Sequence, residues 1–131
     1  MGIFDLFRKR EQLPESARKW NKMWDLWADG KAESPYAQLM TYQSEVNNGG
    51  HDQYFFNTNE NGDLAAEVAA VLSILPQPLK NNLQRGYEAW QACPDAEDET
   101  DNVCSECDDV FYAHEQLINE LLQAYAETMK L

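Results

Sequence analysis

Neither a lysine nor an arginine stands between Gly86 and Met129, a stretch that carries 12 aspartates and glutamates. That absence excludes a nucleic-acid-binding surface there, because phosphate contacts need cationic side chains. The 131 residues as a whole hold 10 basic against 23 acidic side chains, a formal net charge of −13. The imbalance is uneven: residues 1–60 sum to −2 and residues 61–131 to −11. A surface of that sign repels nucleic acid and anionic membrane. It attracts basic proteins at rates that fall with salt.

Other things are scarce. The three cysteines, Cys93, Cys104 and Cys107, are too few and odd in number for a secreted disulfide framework. No stretch approaches the roughly 20 apolar residues that span a bilayer. The opening "MGIFDLFRKR" puts charge after a very short apolar run, the reverse of a signal peptide, and Leu6 stands where a myristoylation pattern wants Ser or Thr. The expectation is a cytoplasmic protein without membrane contact. Alternating β-branched runs and two-residue hairpin turns are missing, which argues against strands. So are the nucleophile elbow, the phosphate loop, the dinucleotide fingerprint and the zinc-protease helix motif. No catalytic residue, metal ligand or cofactor site is therefore assigned.

What is present reads as helix. A hydrophobic share of 44% with 11% aromatics suits a packed core rather than a disordered chain. Residues 2–11 form a short amphipathic piece with Ile3, Phe4, Leu6 and Phe7 apolar and Arg8, Lys9 and Arg10 trailing. Pro14 opens a helix through Ala28, stopped at Gly30, with Trp20, Met23, Trp24 and Trp27 on one face. Ser34 and Pro35 supply a capping hydroxyl and a first-turn proline for the next helix, which Gly49 and Gly50 end. A short helical piece over 51–56 leads into the turn cluster "NTNENGD". Leu64–Leu75 is almost wholly apolar and predicts a helix packed on several sides. Helices over 79–92 and 103–129 follow, separated by the acidic loop "PDAEDETDN". The expected architecture is all-α: one compact domain over 1–131 with six or seven helices, an N-terminal segment 1–13, an acidic loop and helix start over 94–109, and a helix–Gly-Gly–helix corner.

The pair Cys104 and Cys107 has the two-residue gap of a zinc or redox site, but zinc wants four ligands and no second pair exists. The flanking acids would also raise a thiol pKa rather than lower it. His114 lies on the apolar face of the last helix, where a hydrogen-bonded core role is the ordinary one. The acids Asp95, Glu97, Asp98, Glu99, Asp101, Glu106, Asp108 and Asp109 crowd into fifteen positions. They are spaced closely enough to imitate a short phosphate row. The same segment lacks the central glycine of a calcium loop. The stretch "EVNNGGHDQYFFN", Glu45–Asn57, gathers polar groups that look catalytic, yet each has a structural task. Gly49 takes the left-handed residue at the helix end, Gly50 permits close approach, Gln53 and Asn57 satisfy backbone groups, Asn48 holds the turn, and Tyr54, Phe55 and Phe56 fill the space beneath.

"NNGGHDQYFFN", followed by "CDDVFYAHEQLINELLQAYAE", resembles the DNA-mimic protein family of small bacterial domains. Asn48, Gly49, Gly50, Gln53, Tyr54, Phe55 and Asn57 match its first motif, and Asp108, Phe111 and Tyr112 its second. The resemblance runs from about Trp20 to the C-terminus. It implies an all-α fold and a protein that occupies the DNA-binding face of a regulator by presenting carboxylates. His51 departs from the pattern, which usually has Phe there, so imidazole chemistry is not what the position requires. The acidic run lies outside the motifs, and mimicry is judged on this chain's own charges. The expectation is a non-enzymatic binding protein, monomer or homodimer, whose acids over 95–109 meet a basic protein such as a helix-turn-helix regulator. The alternatives are an immunity-type inhibitor of a basic toxin, a small hydrolase or metal-dependent enzyme using His51, Asp52 and His114, and a helical module whose acidity serves only solubility.

Overall fold

The computed structural model describes residues 13–92 and 97–131, with the backbone alone for 97–101. Within them lie five helices and no strand: α1 Glu15–Ala28, α2 Tyr36–Asn61, α3 Leu64–Leu72, α4 Leu79–Ala92 and α5 Glu97–Ala126. The helix expected over 2–11 lies outside the described residues. The chain divides into two compact units, one made of the residues up to Ala32 with Glu120–Leu131, the other Glu33–Asn119. α5 runs through the division, and its last turns belong to the first unit.

In the first unit Pro14 flanks α1 as its cap residue, with Glu15 in the opening turn. An acid there is favoured by the exposed N–H groups of a helix start. Met23 is fully buried, while Trp20, Trp24 and Trp27 are half-buried. Their rings meet edge to face, with centroids 6.3 Å apart for Trp20–Trp24 and 5.3 Å for Trp24–Trp27. The helix ends as its glycine foretells. Gly30 has φ 74°, its N–H donates to Trp27 O and the Lys31 N–H to Leu26 O. That pair of bonds is the Schellman closure, which satisfies carbonyls a helix end would leave unmatched. Lys19 Nζ donates to Glu127 O at 3.3 Å and Lys22 Nζ to Lys130 O.

In the second unit α2 begins at Tyr36, with Pro35 at its cap. The Ser34 hydroxyl bonds Gln38 Oε1 at 2.9 Å, so it does not cap the backbone as expected. Before the kink Leu39, Met40, Tyr42, Gln43 and Val46 are buried, and after it His51, Tyr54 and Phe55. α2 continues to Asn61, so most of "NTNENGD" is helical. The turn narrows to Gly62 and Asp63, whose Oδ1 accepts from Ala66 N at 3.1 Å and caps α3. α3 is shorter than its apolar composition suggested. Leu64, Val68 and Val71 are buried, but Ala65, Ala66 and Ala69 face solvent. Alanine is small enough to be exposed at little cost, so an alanine-rich run does not require packing on several sides. α5 starts at Glu97, six residues earlier than expected. The acidic segment is therefore helical backbone from there on, as acids at a helix N-terminus favour.

Candidate functional site at the glycine kink and the acidic helix

α2 changes direction where two residues leave helical geometry, Gly49 (φ −159°, ψ 17°) and Gly50 (φ 80°, ψ −179°). The residue that needs glycine is Gly50, not Gly49 as expected. Gly49 is in extended backbone, whereas Gly50 lies where a side chain is strained. Asp108 of α5 comes against Gly50 so closely that a Cβ there would sit 2.5 Å from Oδ2. The kink opens the ladder, and the backbone groups it frees find side chains. The His51 N–H donates to Asp108 Oδ1 at 2.8 Å, and Tyr112 Oη donates to the Val46 carbonyl at 3.1 Å. The two sequence motifs thus meet in space. Gly50 leaves room for Asp108, and Asp108 holds the backbone of residue 51, a bond open to whatever side chain stands there.

His51 adds a second layer. It is fully buried, with Nδ1 2.6 Å from Asp108 Oδ1 and Nε2 2.6 Å from Tyr42 Oη. An ionised carboxylate only accepts, so Nδ1 carries the proton and donates. Nε2 then accepts from the Tyr42 hydroxyl, which keeps its proton because burial, then the neighbouring Tyr54, Cys107 and Asp108, push its pKa well above the usual tyrosine range. Phe111 and Phe55 complete the surroundings, their ring centroids 6.0 and 6.1 Å from the imidazole. The geometry resembles a catalytic relay, but the imidazole is fully buried and both of its nitrogens are engaged. His114 donates from Nδ1 to Val110 O at 3.0 Å, one turn back on its own helix, and Asp52 is exposed.

Two further carboxylates are held by amides. Gln53 and Asn57 each donate to Glu45 Oε2 at 3.0 Å, so they orient an acid across the kink rather than satisfy backbone groups. Glu115 Oε2 accepts from Gln43 at 3.1 Å and Asn47 at 2.7 Å, and Gln43 also donates to Asn119 at 2.8 Å. Tyr42, Gln43, Glu45 and Glu115 were not among the expected site residues. The helical spacing of Tyr42 and Val46 signals burial, but no sequence signal pairs Glu45 with side chains beyond a kink. Tyr54, Phe55 and Phe111 are buried as expected, whereas Phe56 is 59% exposed and does not fill the core. Tyr112 is 51% exposed despite its bond. Asn48 and Gly49 face solvent.

Of the acids expected to form one outward row, Asp95 lies outside the described residues, and Glu97, Asp98, Glu99 and Asp101 are described in their backbone alone, in the first turns of α5. Glu106 is exposed and pairs with Arg85 of α4, and Asp109 is exposed. Asp108 binds at the kink through Oδ1, with its side chain 27% exposed. Cys104 and Cys107 are both buried free thiols, and Cys104 stands two turns inside α5 rather than near its start. No metal-ligand group occurs among the described residues. Cys107 joins α4 instead: Asn82 Nδ2 donates to Cys107 O at 2.8 Å, and the thiol reaches Asn82 O at 3.5 Å.

Burial is the main reason that the Cys107 thiol and the Tyr42 and Tyr54 phenols have raised pKa values. Each keeps its proton in the folded chain at a pH where the unfolded chain releases it. Unfolding therefore releases protons, and stability is full below the ordinary values of 9.0 and 10.0 and lost as pH rises past them. The expected slope is about 1.4 kcal/mol per pH unit per group. Urea midpoints should fall slightly from pH 8 to pH 9.5, where the Cys107 contribution begins to go, and more steeply from pH 9.5 to pH 11; a flat profile to pH 11 would contradict the burial of all three.

No helix of the described residues is long and apolar enough to cross a membrane. No curated protein and no solved structure matches the chain. The family model of DMP19-like proteins matches residues 11–129. Its span takes in both the glycine kink and the helix that carries Asp108, and the chain belongs to the DMP19-like family, a family of the DNA-mimic type.

Proposed function

We propose that this protein is a non-enzymatic binding protein whose acidic helix stands in for DNA on a basic partner, such as the DNA-binding face of a transcriptional regulator. The observation that carries the reading is α5 itself, thirty residues without one lysine or arginine. With Asp108 set aside, its acids at 97, 98, 99, 101, 106 and 109 fall along about 18 Å of helix axis, at a mean interval of roughly 3.6 Å. One strand of duplex DNA carries a charge every ~3.4 Å. Arg85 does not cancel the match, because an exposed ion pair contributes at most about 1 kcal/mol and exchanges readily for another cation. The burial of His51, with both ring nitrogens engaged, speaks against the hydrolase alternative.

The test is capture of basic proteins from a bacterial lysate at low and high salt, followed by competition with duplex DNA. A captured DNA-binding protein should be released by salt and by DNA. The double variant Glu106→Gln/Asp109→Asn should bind it about tenfold or more weakly, with a shallower dependence of log K on log salt, while folding as before. Binding that is indifferent to salt and to duplex DNA would sink the proposal.

A further inference from the structure

Tyr112 of α5 is 51% exposed and yet held in place. Its hydroxyl donates to the Val46 carbonyl at 3.1 Å, and its ring meets Phe111 edge to face with centroids 5.4 Å apart. An aromatic ring fixed in advance on a surface loses little freedom when a ligand covers it. Carboxylates stand on both sides of it along the helix. Asp109 lies three residues before and Glu115 three after, each about 4.5 Å along the axis and on a neighbouring turn. We propose that the Tyr112 ring is the platform for an arginine side chain of the basic partner, with the guanidinium stacked on the ring and donating to the Asp109 carboxylate. The inference rests on the reading of α5 as a surface for a basic protein, and it names the side chain that this surface selects.

Two observations point to a cation, and the shape of the site points to arginine. The 26 residues of α2 and the 30 of α5, the two helices that the Tyr112 bond joins, hold neither lysine nor arginine. Asp109 is exposed, and no ion pair among the described residues engages it. The carboxylates on the side of Tyr112 toward α2 keep their charge as well, because their donors are neutral. Glu115 accepts from the Gln43 and Asn47 amides, and Asp108 from the backbone and the neutral ring of His51. A cation on the ring therefore meets negative charge along the whole seam and no competing base from either helix. Lysine and arginine differ in what they can do there. A guanidinium is planar and weakly hydrated, so its face can stack on the phenol while its N–H edge donates to a carboxylate. An ammonium is a compact, strongly hydrated point charge that cannot do both at once.

The experiment titrates the full chain with fluorescein-labelled hexa-arginine and hexalysine, peptides of equal charge, and reads binding by anisotropy. Hexa-arginine should bind about threefold more tightly or better. Tyr112→Leu should bring hexa-arginine down to the level of hexalysine, whereas Tyr112→Phe, which keeps the ring, should keep the preference. Asp109→Asn should weaken hexa-arginine, and its effect should shrink in the Tyr112→Leu background, since the two groups hold one guanidinium. A readout that needs no variant is the nuclear Overhauser contact from the arginine δ-methylene to the Tyr112 ring in the complex. Equal affinity for the two peptides, a preference that survives Tyr112→Leu, or a bound hexa-arginine without contact to the ring would overturn the platform and leave the basic-partner reading standing. Failure of both peptides to bind would overturn both.

Discussion

Alanine at position 108 is expected to lower stability by about 3–5 kcal/mol, since it strips two buried donors of a charged acceptor at 1.5–3 kcal/mol each. The donors are the His51 backbone N–H and the His51 Nδ1–H, both on Asp108 Oδ1. A domain of this size holds on the order of 5–15 kcal/mol in total, so the loss takes a large share of it. The neighbouring Asp109→Ala, at an exposed site, should stay within about 0.5 kcal/mol. Asp108→Asn keeps an acceptor oxygen and should cost about 1–2 kcal/mol, which separates the hydrogen bonds from the charge. Urea unfolding followed by tryptophan fluorescence reads all three. Equal losses at 108 and 109 would show that Asp108 clamps nothing.

Gly50→Ala should destabilise by about 3 kcal/mol or more, through backbone strain of 1–3 kcal/mol and a clash added to it. At φ 80° and ψ −179° only glycine rests without strain, and the new methyl would lie 2.5 Å from Asp108 Oδ2. Gly49→Ala is the control. Its φ is negative, and the new methyl meets Gln53, whose amide can swing off Glu45 for the loss of about one hydrogen bond, roughly 1 kcal/mol, so the loss should be smaller. The two large effects should not add. Removing the Asp108 carboxylate relieves the clash at position 50, so the double variant should fall short of the sum by about 1 kcal/mol or more. Additivity within error would mean that the kink and the acid do not sense one another.

The helical class and most of its boundaries were legible because they rest on local rules. Gly30 closes α1, Pro76 and Pro78 precede α4, and the spacing of Phe111, Ile118 and Leu122 is that of a buried stripe. Boundaries failed where a local preference cut both ways. The acids over 97–102 read as a loop because they are polar, yet they also suit the first turns of a helix. Of the candidate site, the glycine pair was legible but the choice between its members was not, since that depends on what approaches each from α5. Asp108 is the sharpest case. In sequence it is one more acid in a run, and only the fold distinguishes the carboxylate facing the kink from its neighbour facing water. His51 illustrates the reverse: its polar company suggested chemistry, whereas burial makes it a strut.

The link between Cys107 and Asn82 fastens α5 to α4. With Cys104 2% exposed and Cys107 wholly covered, neither sulfur can meet a reagent until α5 parts from its neighbours. Thiol reactivity at these positions is therefore governed by how often the helix opens rather than by the chemistry of sulfur. The chain carries, in the very helix that would face a partner, its own clock for breathing.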